Sequence, residues 1–345
     1  MKSVTIAVDA MGGDFGCKIT VPAVIHALGK HSHLHVIMVG RKDVLERRMR
    51  PALKKYKKRL LIHHAEEVVE MDELPSKALR YKKKSSMRLA INLVKAGAAD
   101  ACVSAGNTGA LMVTASFVLK TLPGVGRPAI VAMIPARNKV GYVRMLDLGA
   151  NVDCSAQQLQ QFAVMGSIIA EAADGIEQPR VALLNIGTEE IKGNDQVKGA
   201  ADLLANTPSV NYVGFAEGGD IFADVADVIV SDGFVGNVAL KTMEGTAKLI
   251  RDEAKAALTR SLITKMGALF LLPVLRSIKK RMNPARYNGA SLLGLTGIVI
   301  KSHGNTTPPG FLKAIERAMA EVEHNVPQMI HDRVHHLLET TDTVS

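Results

Sequence analysis

VDAMGGDFG, Val8 to Gly16, follows directly on the apolar run VTIAV and leads into a helical pattern. A continuously apolar run of this length reads as a strand covered on both faces. An open glycine turn at its end, followed by a helix, is how such strands finish in α/β proteins. Four later stretches repeat the arrangement: SAGNTGA (Ser104 to Ala110), LDLGANVD (Leu146 to Asp153), NIGTEEIKGND (Asn185 to Asp195) and SDGFVGN (Ser231 to Asn237). The strand candidates are VTIAV, LHVIMVG, RLLIHH, DACVS, AIVAMI, VRMLDL, RVALLNI, VNYVGF, DVIVS and GIVIKS. Helical patterns fall between them, at roughly 19–28, 87–96, 110–120, 156–173, 193–204 and 237–258. The alternation predicts an α/β fold with a mostly parallel sheet, helices on both faces and right-handed crossovers. Residues 1–340 read as one domain and 341–345 as a frayed tail. The five strand-end loops are expected to gather at the carboxyl ends of the strands, where ligands bind in open α/β sheets.

Composition narrows the function. The chain has 345 residues, 47% hydrophobic and 22% charged, with a formal net charge of +10. That balance favours anionic partners such as phosphates, acidic proteins, lipid headgroups or nucleic acid. Trp is absent and aromatics are 4%, which argues against nucleic-acid binding on stacking platforms. Three distant cysteines, Cys17, Cys102 and Cys154, form no CxxC pair and suggest neither a zinc clip nor a disulfide framework. The N-terminus does not read as a signal peptide and no run reaches the length of a membrane span, so a reduced cytoplasmic location is expected.

Several catalytic signatures are missing: no GxGxxG follows a strand, and there is no GxxxxGK[ST], GxSxG or HExxH. The loops instead suit a small anion held by backbone amides at helix starts. Gly12 and Gly13 allow close backbone approach and positive φ. Gly106, Asn107, Thr108 and Gly109 offer amides and short polar side chains. Gly233, Gly236, Asn151 and His303 complete the candidate anion contacts. Asp9, Asp14, Asp147 and Asp232 would repel a phosphate and read as acceptors for loop N–H groups. A shared divalent metal is the alternative, but no ligand spacing supports it, and the expectation is no metal.

Taken in order, AVDAMGGDFG, PSKALRYKKKSSMRLAINLVKAG, ACVSAGNTGALM, LDLGANVDC, RVALLNIGTEEIKG, SDGFVGNVALKTMEG and NGASLLGLTGIVIKSHG resemble the phosphate acyltransferase family of bacterial phospholipid synthesis. The resemblance runs from residue 6 to about residue 330. It departs at Cys17, where the family has proline, at Thr188, where it has an acid, and in NGASLLG. It implies a Rossmann-like α/β/α sandwich similar to phosphotransacetylases and isopropylmalate-type dehydrogenases. It further implies reversible transfer of a long acyl chain from acyl carrier protein to inorganic phosphate, without a cofactor. The implied setting is a homodimer at the inner membrane face that hands acyl phosphate to a membrane glycerol-3-phosphate acyltransferase.

Phosphate is already an anionic nucleophile and a thiolate leaves with a pKa of about 8.5, so a strong general base is unnecessary. The protein must align two anionic partners and stabilise a tetrahedral oxyanion. Lys192 reads equally as a phosphate cation or a solvated lysine. Asn237 reads equally as an amide donor or an N-cap. The resemblance assigns catalytic roles to both. A cysteine nucleophile is the competing chemistry, with Cys154 at an expected helix start and Cys102 in the core.

Residues 257–286 read differently. An apolar centre flanked by basic residues predicts a protruding amphipathic helical hairpin too short to cross a bilayer. Leu269, Phe270, Leu271 and Leu272 would contact a membrane surface, with Lys279, Lys280 and Arg281 among lipid phosphates. A buried dimer contact is the other reading, and the two are compatible. The basic run Lys77 to Arg88 is a solvated face or a dock for the acidic carrier protein. Among functions, the alternatives are a phosphotransacetylase using acyl-CoA, a nicotinamide-dependent dehydrogenase disfavoured by the missing fingerprint, and a non-enzymatic basic protein on membranes or nucleic acid.

Overall fold

The computed structural model describes residues 3–281 and 283–342, and the side chains of these except at 278–281, 284 and 338–342. In chain order the elements are β1 (Val4–Asp9), α1 (Cys17–Lys30), β2 (Leu34–Gly40), α2 (Lys42–Tyr56), β3 (Leu60–His64), α3 (Pro75–Tyr81), α4 (Ser86–Lys95), β4 (Ala101–Ser104) and α5 (Thr108–Leu119). Next come β5 (Ala129–Pro135), β6 (Tyr142–Leu146), α6 (Ala156–Asp174), β7 (Arg180–Leu184), α7 (Asp195–Ala205), β8 (Asn211–Ala216) and β9 (Val228–Val230). The chain then runs through α8 (Gly233–Thr259), α9 (Leu262–Phe270), α10 (Leu272–Arg281), β10 (Ala290–Leu293), β11 (Ile298–Lys301), α11 (Pro308–Glu323) and α12 (Val326–Asp342). Each of the ten apolar runs forms a strand. β10 carries no such signal, because its four residues lie in a glycine-bounded stretch that reads as a loop.

The described strands form one sheet in the order β3-β2-β1-β4-β11-β10-β5-β6-β9-β7-β8. Most pairings are parallel, but β10 runs antiparallel to both neighbours and β5 antiparallel to β6. The β3-β2-β1-β4-β11 block therefore points one way and the β6-β9-β7-β8 block the other. This corrects the expectation that all five loops gather at one sheet end: parallel neighbours share a carboxyl end, and here there are two such sets.

Apolar strands are covered on both sides. Val4, Ile6 and Val36 pack with Leu28, Leu45 and Phe311 from α1, α2 and α11. Ala7, Cys102 and Val299 face Met87, Ile91 and Leu111 from α4 and α5. In the second block, Val181 and Val228 meet Phe162, Leu204 and Val334 from α6, α7 and α12. α12 continues through Asp342, two residues into the segment expected to fray, and 343–345 lie outside the described residues.

The helices α8, α9 and α10 differ from the rest. Within α8 only Gly233 and Gly236 are buried, and α9 has no buried residue. Ser261 and Thr264 form a capping box that starts α9. Pro273 is the second residue of α10, where its missing N–H costs nothing, so the break falls at Leu271 rather than at the proline. No helix among the described residues is long and apolar enough to cross a membrane.

Candidate active site

The first loop group lies at the ends of β1, β4 and β11, which are adjacent and in register. Its organiser is Asp9, which is buried. Asp9 Oδ1 accepts from Ser86 Oγ (2.6 Å), Gly12 N (3.1 Å) and Met11 N (3.3 Å), and Oδ2 from Ser104 Oγ (2.7 Å). Burial raises the Asp9 pKa, against the lowering effect of these donors. Asp14 behaves otherwise: its exposed carboxylate makes no hydrogen bond among the described residues, and its N–H donates to Gly304 O (3.0 Å).

The second group lies at the ends of β6, β9 and β7, with Leu146, Val230 and Leu183 side by side. Asp147 occupies the place that Asp9 holds in the first. It accepts from Ile130 N (3.1 Å), Ala150 N (3.0 Å), Asn151 N (2.7 Å) and Asn151 Nδ2 (2.8 Å). Burial raises its pKa too. Asp232 caps α8, its Oδ1 accepting from Val235 N (2.8 Å).

These bonds consume many of the expected anion donors. The N–H groups of Gly12, Gly106 and Gly233 are spent on Asp9, Ser104 Oγ and Asn151 O, and that of Gly236 on Asp232 O within the helix. Asn151 is buried and gives both amide protons to protein acceptors, Pro128 O and Asp147. Asn107 caps α5 through Oδ1, and its Nδ2 donates to Met71 O and Glu73 O. These six spend the N–H groups named here on the loops themselves. Thr108 and Gly109 occupy the first turn of α5, where N–H groups lack intrahelical partners. Phe234 holds the same position in α8.

Asn237 lies inside α8, because Asp232 caps the helix five residues earlier; its N-cap reading is removed. Its side chain is exposed and stands beside Gly149 in the β6 loop. Lys241 and Glu244 follow it at helical spacing, paired at 2.8 Å, and their charges act on His303 in the first group, Glu244 raising and Lys241 lowering its pKa. One face of α8 thus runs from the second loop group to the first. Crowding by protein and the neighbouring Lys301 ammonium hold His303 below the usual imidazole range. Lys192 lies in the loop after β7, half-exposed, with its ammonium 3.5 Å from Glu189 and its carbonyl accepting from Asn185 Nδ2. Its hydrogen bonds link it to its own loop; none joins it to Asn237.

Lys301, at the end of β11, is the residue sequence reasoning passed over. It is buried, and its Nζ donates to Ala105 O (3.4 Å) and Ser302 O. Burial pushes its pKa down to about 8, partly offset by Asp14 and Asp9. A lysine ending an apolar strand looks solvated; only a mismatch with the strand's covered faces hinted otherwise.

The cysteines are poor nucleophiles. Cys154 lies before the cap Ser155 rather than inside the helix, and burial and Asp147 push its thiol up to about 11. Burial raises Cys17 and Cys102 as well. Among the described residues no group of three His, Cys, Asp or Glu could hold a metal. A cavity of about 450 Å³ opens at the amino ends of β4 and β11, away from both loop groups.

The fold is an α/β architecture with a mostly parallel sheet and two groups of strand-end loops. The fold is similar to a phosphotransacetylase from Streptococcus pyogenes (TM-score 0.59, 18% identity, 93% of this chain and 94% of that one). It is also similar to a branched-chain phosphotransacylase from Enterococcus faecalis (TM-score 0.57, 14% identity, 93% and 99%). Residues 4–329 match the fatty acid synthesis protein family, and the chain belongs to it. A phosphate acyltransferase of Alkalilimnicola ehrlichii is 56% identical over 342 residues, 99% of each chain. That of Methylococcus capsulatus is 56% identical over 330 residues, 96% of each. The chain is an acyltransferase, and its chemistry is acyl transfer involving phosphate.

Proposed function

We propose that this chain transfers a long acyl group from the thioester of acyl carrier protein to inorganic phosphate. A phosphate oxygen attacks the thioester carbon, the tetrahedral oxyanion collapses, the C–S bond breaks, and the thiolate takes a proton from water. The products are acyl phosphate and free carrier protein. The observation that carries this reading is Asn237: an exposed amide, its cap role taken by Asp232, beside Gly149 and one turn from Lys241. Its N–H₂ donates to the developing oxyanion, a contribution worth about 3 kcal/mol where a single donor has been removed from such sites. Phosphate sits on the first-turn amides of α5, with Gly13 and His303 at its edge. Lys192 leaves Glu189 for the reacting phosphate when substrate binds. Three raised thiols support direct attack over an acyl-enzyme.

The same reading makes the chain a peripheral membrane protein at the cytoplasmic face, acting as a homodimer and passing acyl phosphate to a membrane acyltransferase. Leu269, Phe270 and Leu271 are exposed on α9 and the turn after it, and Leu272 is half-buried. The side chains of Lys279, Lys280 and Arg281 lie outside the described residues. In the basic run at 77–88, proposed as a carrier dock, Lys84 pairs with Glu66 at 3.0 Å at the surface.

The test is acyl phosphate formation from palmitoyl-acyl carrier protein, with palmitoyl-CoA as competitor substrate. Wild type should turn over the carrier substrate, and Lys192→Ala and Asn237→Ala should each lose about 100-fold or more in kcat while remaining folded. Turnover of the CoA ester alone would replace this reading with a phosphotransacetylase. Full activity in both variants would remove the assigned residues.

A further inference from the structure

Lys301 is 8% exposed, yet it ends a strand at the mouth of the first loop group. Its ammonium donates to one carbonyl from the loop after β4, Ala105 O, and one from its own loop, Ser302 O. The β1 loop leans on the same two neighbours. Gly13 has φ +88°, and a Cβ there would come within 2.9 Å of Ala105 Cβ and 3.0 Å of Gly304 O. Asp14 N–H donates to Gly304 O (3.0 Å), and Ser302 N–H to Ser104 O (2.8 Å). Three loops from three adjacent strands therefore meet around one cation. The carbonyl it holds, Ala105 O, lies three residues before the open amides of Thr108 and Gly109.

We propose that Lys301 is a positioning residue whose ammonium, by holding the carbonyls of Ala105 and Ser302, locks the loops after β1, β4 and β11 so that the first turn of α5 faces phosphate. This deepens the reading of the first loop group as the phosphate site and rests on it. The charged groups facing Lys301 are Asp9 from β1, Asp14 from the loop after it, Lys241 from α8 and His303 from its own loop. The two carboxylates favour the ammonium. Burial, which dominates, disfavours it, so the lock loosens near pH 8 rather than in the ordinary lysine range.

Hydrogen exchange at the Ser302 and Asp14 amides, corrected for intrinsic rates, tests the lock without any substrate. Between about pH 7 and about pH 9.5 wild-type protection should fall about tenfold as the ammonium is lost, while Lys301→Arg, which stays charged, keeps it. Phosphate-dependent kcat/KM should show an alkaline limb near pH 8 in wild type that is absent in Lys301→Arg. Lys301→Met should lack both protection and activity at every pH. Unchanged wild-type protection across that range, or a Met variant with wild-type protection and kcat/KM, overturns the proposal. If neither variant folds, the wild-type exchange profile alone decides. If no acyl phosphate forms at any pH, the assigned reaction fails, and exchange still reads the lock.

Discussion

Gly236 shows how tightly the second loop group is built. A Cβ there would meet the Asp147 carbonyl oxygen and lie 2.6 Å from Ser231 Oγ. In an exposed helix interior Gly→Ala stabilises by about 1 kcal/mol. Here the sign reverses, because backbone rather than a flexible side-chain end stands in the way. Gly236→Ala should destabilise by roughly 3 kcal/mol and remove activity, read as a lowered urea midpoint and lost turnover. Gly149→Ala should be milder on space, with the Asn237 atoms 3.6 Å away, but strained at φ +116°. Asp9, Asp147 and Asp232 accept loop donors as a carboxylate that cannot face a phosphate must, whereas Asp14, expected to do the same, accepts none among the described residues. What could not be read was which donors. Asn151 and Asn107 carry the residue types of an anion site and spend them on Pro128, Asp147, Met71, Glu73 and Ala110, from chain as far as 36 positions away. Lys301 was hidden for the converse reason: its burial comes from three loops whose meeting depends on strand order.

At the scale of elements, α8 carries the argument. Asn237, Lys241 and Glu244 lie at i, i+4 and i+7, a stripe spanning about 10 Å along the helix. Gly149 is at one end and His303 at the other. The helical pattern was visible from Asn237 on, but its start was not, because Gly233 and Gly236 weaken the helical signal that their packing requires. Further along, α8 and α9 present Leu249, Ile250, Leu262, Ile263, Met266 and Phe270 to solvent. Under the proposed function this surface would meet lipid or a second chain. Leu269→Glu combined with Phe270→Glu should lower binding to vesicles containing anionic lipid by about tenfold or more with little change in melting temperature, since both side chains are mostly exposed. A lowered sedimentation coefficient with unchanged vesicle binding would assign the surface to a dimer instead.

At the scale of the whole molecule, the reversal of the sheet decides where two loop groups stand relative to each other, and a buried charge network lies at the reversal. Arg144 on β6 donates to Asp174 at the end of α6 through Nε (2.5 Å) and Nη2 (2.7 Å). Tyr142 OH donates to the same carboxylate (2.5 Å), and burial with Asp174 pushes that phenol up to about 12. Arg317 on α11 lies 3.8 Å from Asp174. One turn further along α11, Glu321 is buried; its Oε2 accepts from Ser291 on β10 (2.8 Å) and its Oε1 has no partner among the described residues. The strands, read one by one, gave no sign of this, because antiparallel β5, β6 and β10 differ from parallel strands in pairing rather than composition. Burial pushes the Glu321 pKa from 4.5 up to about 7, against the lowering pull of Ser291, Arg317 and Arg144. A raised folded-state value means that the native state favours the neutral acid. Its contribution is whole below pH 4.5 and is lost as pH rises through about 7. Glu321→Gln keeps an acceptor for Ser291 without the charge. It should therefore gain up to about 3 kcal/mol over wild type at pH 8 and nothing at pH 4, read from urea midpoints at the two pH values. Because Glu321 lies on α11 against β10 and touches neither loop group, turnover at pH 7 should be unchanged. A variant less stable than wild type at pH 8 would mean that the arginines need the carboxylate, and that the network holds the reversal by charge rather than in spite of it.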